Sequence, residues 1–266
     1  MIKLVVSDLD GTFLNNQGLF DMDLFIKVQA DMERKGVTFV ACTGKQCERV
    51  EKLFGEHGKG IWILGDSAAR VKKDGHVVKE FSIERDLALQ AIDRIQNFAP
   101  DMTLIICASE AAYVHFSIPD DMYQVVKGSY EHVIKTDSFE NIDSRFIKIT
   151  VFDKEGRSTA LRKHVEHSLG GQIYIVDSEA RWLDITALHT HKGETVKKLQ
   201  EMLGVTYEET MAFGDGENDV ELMAIAKYSF AVSNACENTK KAASFITKSN
   251  EENGVLLTIQ KILDLY

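Results

Sequence analysis

Short apolar runs alternate with amphipathic stretches along the first part of the chain. Ile2-Lys3-Leu4-Val5-Val6 is an apolar burst that stops at Ser7-Asp8 and predicts a first strand. Phe25, Val28 and Met32 then recur at helical spacing, with Gly36 as a C-terminal stop. Val37-Thr38-Phe39-Val40-Ala41 predicts a second strand, residues 50–54 lie in a second helix, and Ile61-Trp62-Ile63-Leu64 predicts a third strand. The order β-α-β-α-β implies a parallel sheet with helices on its faces.

Between residues 83 and 186 the pattern changes. A helix over 87–98 is followed by strand-like runs at 103–107 and 112–116, then by 146–152, where Ile147, Ile149 and Val151 alternate with Lys148 and Thr150 as in a half-exposed strand. A helix over 158–167 precedes strands at 172–176 and 181–185, an α+β arrangement. After residue 186 the first pattern returns: helix 192–203 closed by Gly204, strand 210–213, helix 217–224, strand 228–232, then helix, strand and helix. The predicted fold is a doubly wound, mostly parallel α/β core formed by 1–82 and 187–266, with an α+β module of residues 83–186 inserted into it.

Composition narrows the function. The 266 residues are 44% hydrophobic and 27% charged, which excludes disordered, collagen-like and small disulfide-framework classes. A net charge of −10 argues against nucleic acid and anionic membranes, which are held by excess Lys and Arg. No apolar run approaches the ~18 residues of a membrane span, and an acid stands as early as Asp8, so a cytoplasmic protein is expected. Cys42, Cys47, Cys107 and Cys236 lack metal-site spacing and read as small buried hydrophobes.

Two familiar phosphate-binding patterns are absent: no GxxxxGK[ST] occurs, and Gly214-Asp215-Gly216-Glu217-Asn218-Asp219 begins like a dinucleotide fingerprint but ends in Asp and follows a late strand. Other residues carry chemistry. Asp8-Leu9-Asp10-Gly11-Thr12 sits where the first strand ends, and ligands gather at the carboxyl ends of strands in open α/β sheets. Asp215, with Asp219 four residues on, follows a second strand, so hard oxygen ligands collect at one sheet edge, a composition suited to Mg²⁺. Thr43-Gly44 ends the second strand where a hydroxyl and backbone amides can hold a phosphate oxygen, and Lys192 opens a later helix.

This set, in this order, resembles the four motifs of the haloacid dehalogenase-like phosphohydrolase superfamily: Asp8 to Thr12, then Thr43, then Lys192, then Gly214-Asp215 with Asn218-Asp219. The inserted module resembles the α/β cap of its Cof-type branch, and DGTFLN, YSFAVSNACENTKKAA and ENGVLLTIQKIL are similar to its sugar phosphatases. The resemblance implies that Asp8 attacks phosphorus to form an aspartyl-phosphate and that Asp10 is the general acid and base. It implies Mg²⁺ on the Asp8 and Asp215 side chains and the Asp10 carbonyl, phosphoryl oxygens on Thr43, Gly44, Lys192 and Asn218, and Asp219 orienting Lys192 or a metal-bound water. To hold a proton at neutral pH, Asp10 would need desolvation and a neighbouring carboxylate to raise it from ~3.9.

Asp10 favours phosphoryl over carbon chemistry, which leaves a phosphatase of small phosphorylated metabolites, most of all sugar phosphates, as the reading; a phosphomutase or a non-catalytic metal- and phosphate-binding regulator is the alternative. A monomer or homodimer is expected. Two departures stand out: Lys45 occupies the usual Arg position after Thr-Gly, and Gly65-Asp66-Ser67-Ala68 replaces an Asn-Gly-Ala turn, placing an extra acid near the cleft. In the cap, Tyr113, Phe116, Trp182, Glu179 and Arg181 have the chemistry to meet a sugar, although strand aromatics are mostly core. His189 and His191 flank Lys192 as supporting or surface residues. The cap is the more acidic part, with 17 Asp+Glu against 11 Lys+Arg in 83–186, so attraction for an anion has to be local.

Overall fold

The N-terminal apolar burst forms β1 (Leu4–Ser7), whose four residues are all buried. The computed structural model describes residues 1–179 and 181–265, the side chains of 177–179 excepted. In chain order the core continues with α1 (Met22–Arg34), β2 (Thr38–Cys42), α2 (Cys47–Phe54), β3 (Trp62–Gly65), β4 (Arg70–Lys73) and β5 (His76–Glu80). The inserted module comprises α3 (Arg85–Phe98), β6 (Thr103–Ala108), β7 (Ala112–His115), α4 (Asp120–Ser129), β8 (Val133–Thr136), β9 (Phe146–Phe152), α5 (Ser158–Leu169), β10 (Ile173–Glu179) and β11 (Trp182–Ala187). The core then resumes as α6 (Lys192–Leu203), β12 (Thr210–Gly214), α7 (Val220–Ala224), β13 (Tyr228–Val232), α8 (Glu237–Ala242), β14 (Phe245–Thr247) and α9 (Gly254–Leu263).

The core sheet has the order β14-β13-β12-β1-β2-β3-β4-β5 and is parallel from β14 to β3. Helices cover both faces, as doubly wound sheets require. Phe25, Val28, Met32 and Ile259 of α1 and α9 pack with Val5 on one face, and Val196, Leu199, Leu222 and Met223 of α6 and α7 pack with Leu4 and Val6 on the other. Phe13, just past the first acidic turn, meets the rings of Phe20, Phe25, Phe39 and Phe54 at 5.0–5.9 Å, which pins that turn to the core.

The sequence pattern does not predict the antiparallel β4–β5 hairpin at the sheet edge. Arg70 and Lys72 in this hairpin are buried because Glu48, Glu51 and Glu80 pair with them at 2.9–3.1 Å. Two weakly patterned cap elements, α4 and β8, also escape the pattern, since each buries a single residue, Val126 and Thr136.

The cap sheet has the order β10-β11-β9-β6-β7-β8, antiparallel except for β7–β8. Strand alternation gives it two different faces. Ile149, Val151, Leu183, Ile185, Ile173 and Ile175 pack against α3 and α5. On the opposite side, Lys148 and Thr150 are buried rather than half exposed, because that side of the sheet lies against the core. Among the contacts between cap and core, Lys148 donates to the Gly44 carbonyl, Tyr174 donates to Glu221, and Glu131 pairs with Arg49.

Candidate active site

The sheet edge at the carboxyl ends of β1, β2 and β12 carries the residues singled out by sequence. β1 ends in a ladder bond from the Asp8 amide to the Phe213 carbonyl at 3.0 Å, so the Asp8 side chain is set beside the turn that follows β12. Gly11 then takes φ +74°, and a Cβ there would meet Asp215 Oδ2 at 2.5 Å. Glycine thus lets the first turn lie directly on Asp215, and Thr12 Oγ1 donates to Asp215 Oδ1 at 2.5 Å.

Lys192 joins the two turns. As the first residue of α6 it sends Nζ to Asp8 Oδ1 at 2.7 Å and Asp219 Oδ1 at 2.6 Å, with all three side chains buried. Asp219 uses its other oxygen to accept the Asp215 and Gly216 amides, each at 3.0 Å. Its carboxylate is thereby committed to holding Lys192 and the Asp215 turn in place.

The electrostatics follow from burial. Desolvation raises the Asp8 carboxyl well above its ordinary value against the pull of Lys192, and Asp219 and Asp215 push it further. Burial likewise raises Asp215, with Asp219 adding to it and the Thr12 hydroxyl opposing. Burial disfavours the Lys192 ammonium, but Asp219 and Asp8 overcome this and raise it above its usual range. Oxygens of Asp8, Asp215 and Asp219 lie within 4.8 Å of one another against a single ammonium. That surplus of negative charge, with Asp8 and Asp215 keeping oxygens not taken by protein cations, fits a divalent hard cation.

Asp10 differs from expectation. Its side chain is 52% exposed and pairs with Lys45 Nζ at 2.8 Å, so its partner is a cation and not the Asp8 carboxylate. Burial falls on Asp8, which is 6% exposed, because it directly follows the buried strand β1, whereas Asp10 lies in the turn beyond. The Lys45 departure therefore bears on the acid of the first turn.

Thr43 is buried with its amide bonded to the Leu64 carbonyl and its hydroxyl accepting the Lys45 amide at 3.2 Å, and Gly44 follows at the cleft surface. Asn218 also lines the cleft. The turn after β3 behaves unexpectedly: Asp66, Ser67 and Ala68 all have positive φ. Asp66 turns inward towards Arg70, and Ser67 is the residue that meets the cap.

A cleft of about 840 Å³ lies between these turns and the cap. Its roof is a part of the site that the sequence reading does not single out. Ser67 Oγ donates to Asp184 Oδ2 at 2.5 Å, Thr150 Oγ1 donates to Asp184 Oδ1 at 2.7 Å, and Lys148 Nζ lies 3.2 Å from Asp184 Oδ2 and 3.0 Å from the Gly44 carbonyl. The available signal is the period-2 placement of Lys148 and Thr150 in β9 and Asp184 and Thr186 in β11, polar residues in otherwise apolar strands. Among the cap residues with sugar-binding chemistry, Trp182 lines the cleft, whereas Phe116 and Arg181 are exposed and Tyr113 bonds Glu110. Glu179 lies outside the described side chains. His191 stacks on Tyr174 at 4.8 Å, and His189 is exposed.

The haloacid dehalogenase-like hydrolase family matches residues 5–259. The chain is 27% identical over 262 residues to the 5-amino-6-(5-phospho-D-ribitylamino)uracil phosphatase YbjI of Escherichia coli, covering 98% of this chain and 96% of that one. It is 24% identical to phosphatase YwpJ of Bacillus subtilis, covering 98% and 100% of the two chains. Among solved structures, SMU.1108c from Streptococcus mutans superposes with a TM-score of 0.94 at 26% identity over 99% of this chain and 100% of that one. The subclass IIB sugar phosphatase BT4131 has a TM-score of 0.81 at 20% identity over 98% of each chain, a likeness of fold.

Proposed function

Because the chain belongs to the haloacid dehalogenase-like hydrolases, we propose that this phosphoric monoester hydrolase is a Mg²⁺-dependent phosphatase of small phosphorylated metabolites, sugar phosphates foremost, with Asp8 as its nucleophile. The observation that carries this reading is the buried Asp8–Lys192–Asp219 chain, with Asp215 beside it, at the floor of a cleft sized for a small ester. The phosphorylated ribityl group in the name of the Escherichia coli relative's substrate supports a polyol-like leaving group here.

Lys192 occupies one oxygen of Asp8 and leaves the other for in-line attack on phosphorus. The resulting aspartyl-phosphate divides one hard displacement into two easier ones. Asp8 and Asp215, with the Asp10 carbonyl, would hold Mg²⁺, which supplies the positive charge that offsets carboxylate–phosphate repulsion. Thr43, the Gly44 amide, Lys192 and Asn218 receive phosphoryl oxygens. Asp10 protonates the leaving oxygen and later takes a proton from water. Its tie to Lys45 is of the exposed kind, worth about 0.2–1 kcal/mol, so the leaving group can take Lys45's place.

A phosphate-release screen tests this reading across sugar, polyol and nucleotide monophosphates, with Mg²⁺ and with Asp8→Asn as control. Sugar or polyol esters should release inorganic phosphate with the native chain and not with the variant. Transfer of phosphate to a second hydroxyl without release would favour a phosphomutase, and preference for oligonucleotides would sink the reading.

A further inference from the structure

The cap's inner face carries a buried ion pair whose partners are interchangeable with the groups of a sugar. Lys148 and Asp184 project from the adjacent strands β9 and β11 on the side away from α3 and α5, and both line the cleft. Lys148 Nζ spends its donors on Asp184, the Gly44 carbonyl and, at 3.4 Å, Ser67 Oγ. Asp184 accepts from the hydroxyls of Ser67 and Thr150. Apart from each other, then, the two charges are satisfied by hydroxyls and a carbonyl. A substrate hydroxyl both donates and accepts, so one can replace Ser67 against Asp184 and its neighbour can replace the Gly44 carbonyl against Lys148 with no change in net charge. Trp182, two residues before Asp184 on the same face of β11, lines the cleft and offers an apolar plate beside them.

The remaining cations decide what else the cleft can take. Lys45 is paired with Asp10 at 2.8 Å, and Arg49 and Lys52 with Glu131 at 2.8 and 3.5 Å. Together with Lys148, paired with Asp184, these are the Lys and Arg residues lining this cleft among the described residues, and each already faces a carboxylate. A second phosphate or carboxylate on the substrate would have to strip one of these pairs and, at the roof, would lie against Asp184. Like charge at a desolvated carboxylate is strongly unfavourable.

We propose that Lys148 and Asp184 together read the leaving group, that this group is neutral and polyhydroxylated, and that the phosphate is the substrate's one anionic group. The proposal rests on the phosphatase reading above and narrows its substrate class.

The test compares kcat/KM of the native chain and of K148M/D184N, in which both charges leave together so that neither is stranded, on a hexose monophosphate, a hexose bisphosphate and p-nitrophenyl phosphate with Mg²⁺. The native chain should prefer the monophosphate to the bisphosphate by about tenfold or more, and the variant should lower the ratio of monophosphate to p-nitrophenyl phosphate by about 10- to 100-fold. Thr150→Val, which removes one hydroxyl from Asp184, should move that ratio the same way by a smaller factor and serves if the double variant does not fold. An unmoved ratio in the folded variant, or a native preference for the bisphosphate, overturns this inference while leaving the phosphatase reading intact. Failure of the native chain to hydrolyse any ester overturns the phosphatase reading and this inference with it.

Discussion

One buried lysine supports the acids of the cleft floor and another lies in its roof, and their surroundings differ in charge. Lys192, on the floor, serves Asp8 and Asp219 with Asp215 alongside, three carboxylates to one ammonium. Lys148, in the roof, has Asp184 and otherwise neutral oxygens. In both, burial opposes the ammonium and neighbouring carboxylate raises it above its usual range, so each lysine stays charged. The floor is left with excess negative charge, which suits the divalent cation that the proposed phosphatase reading places there. The roof is balanced and calls for a neutral partner. On the proposed reading, charge balance, more than the presence of a lysine, separates the end assigned to chemistry from the end assigned to recognition.

The largest expected effects lie on the floor. Asp8→Asn should lower turnover of every ester by about 10⁴-fold or more, and Lys192→Met by about 10²–10³-fold, irrespective of leaving group. Lys148→Met should instead depend on the leaving group; an even loss across all esters in steady-state assays would erase the distinction between the two lysines. Stability gives a second contrast. Lys148→Met alone strands Asp184 and should cost about 3–5 kcal/mol in urea unfolding, while K148M/D184N should recover roughly half of that.

Another buried acid, Asp66, sharpens the comparison because it has no lysine bonded to it. Burial lifts the Asp66 carboxyl from 3.8 to about 6, even with Lys148 and Arg70 pulling it down, and its Oδ2 accepts no hydrogen bond. The folded chain therefore binds the proton more tightly than the unfolded one, and stability contributed by this group is present below about pH 4 and lost as pH rises through about 6. Asp66→Asn, a residue tolerated at the positive φ of this turn, should add about 1–3 kcal/mol at pH 7.5 and nothing below pH 4 in unfolding titrations. The smallest effect belongs to the exposed pair: Lys45→Met should change unfolding free energy by less than about 1 kcal/mol.

The floor was legible in the sequence, whereas the roof was not. Asp8 and Asp215 each follow an apolar strand and stand out as acids at a sheet edge, and the doubly wound core follows from the alternation of strand and helix patterns. Lys192 and Thr43 acquire meaning only from the resemblance, since a lysine at a helix start and a threonine at a strand end are ordinary. Lys148 and Asp184 stayed hidden because the alternation in β9 and β11 reports an amphipathic strand without saying what covers its polar side. The β4–β5 hairpin was hidden for a related reason: its Arg70 and Lys72 resemble solvated charges until Glu48, Glu51 and Glu80 are brought beside them.

The central claim, Asp8 as the nucleophile at the floor, is tested most directly by acid-quenching the native chain during turnover of a sugar phosphate with Mg²⁺ and mapping the trapped phosphoryl group by peptide mass spectrometry. The account predicts one phosphoryl group on Asp8, lost on treatment with hydroxylamine and absent from Asp8→Asn. Steady turnover with no phosphoryl group on Asp8, or with the group on another residue, would contradict it.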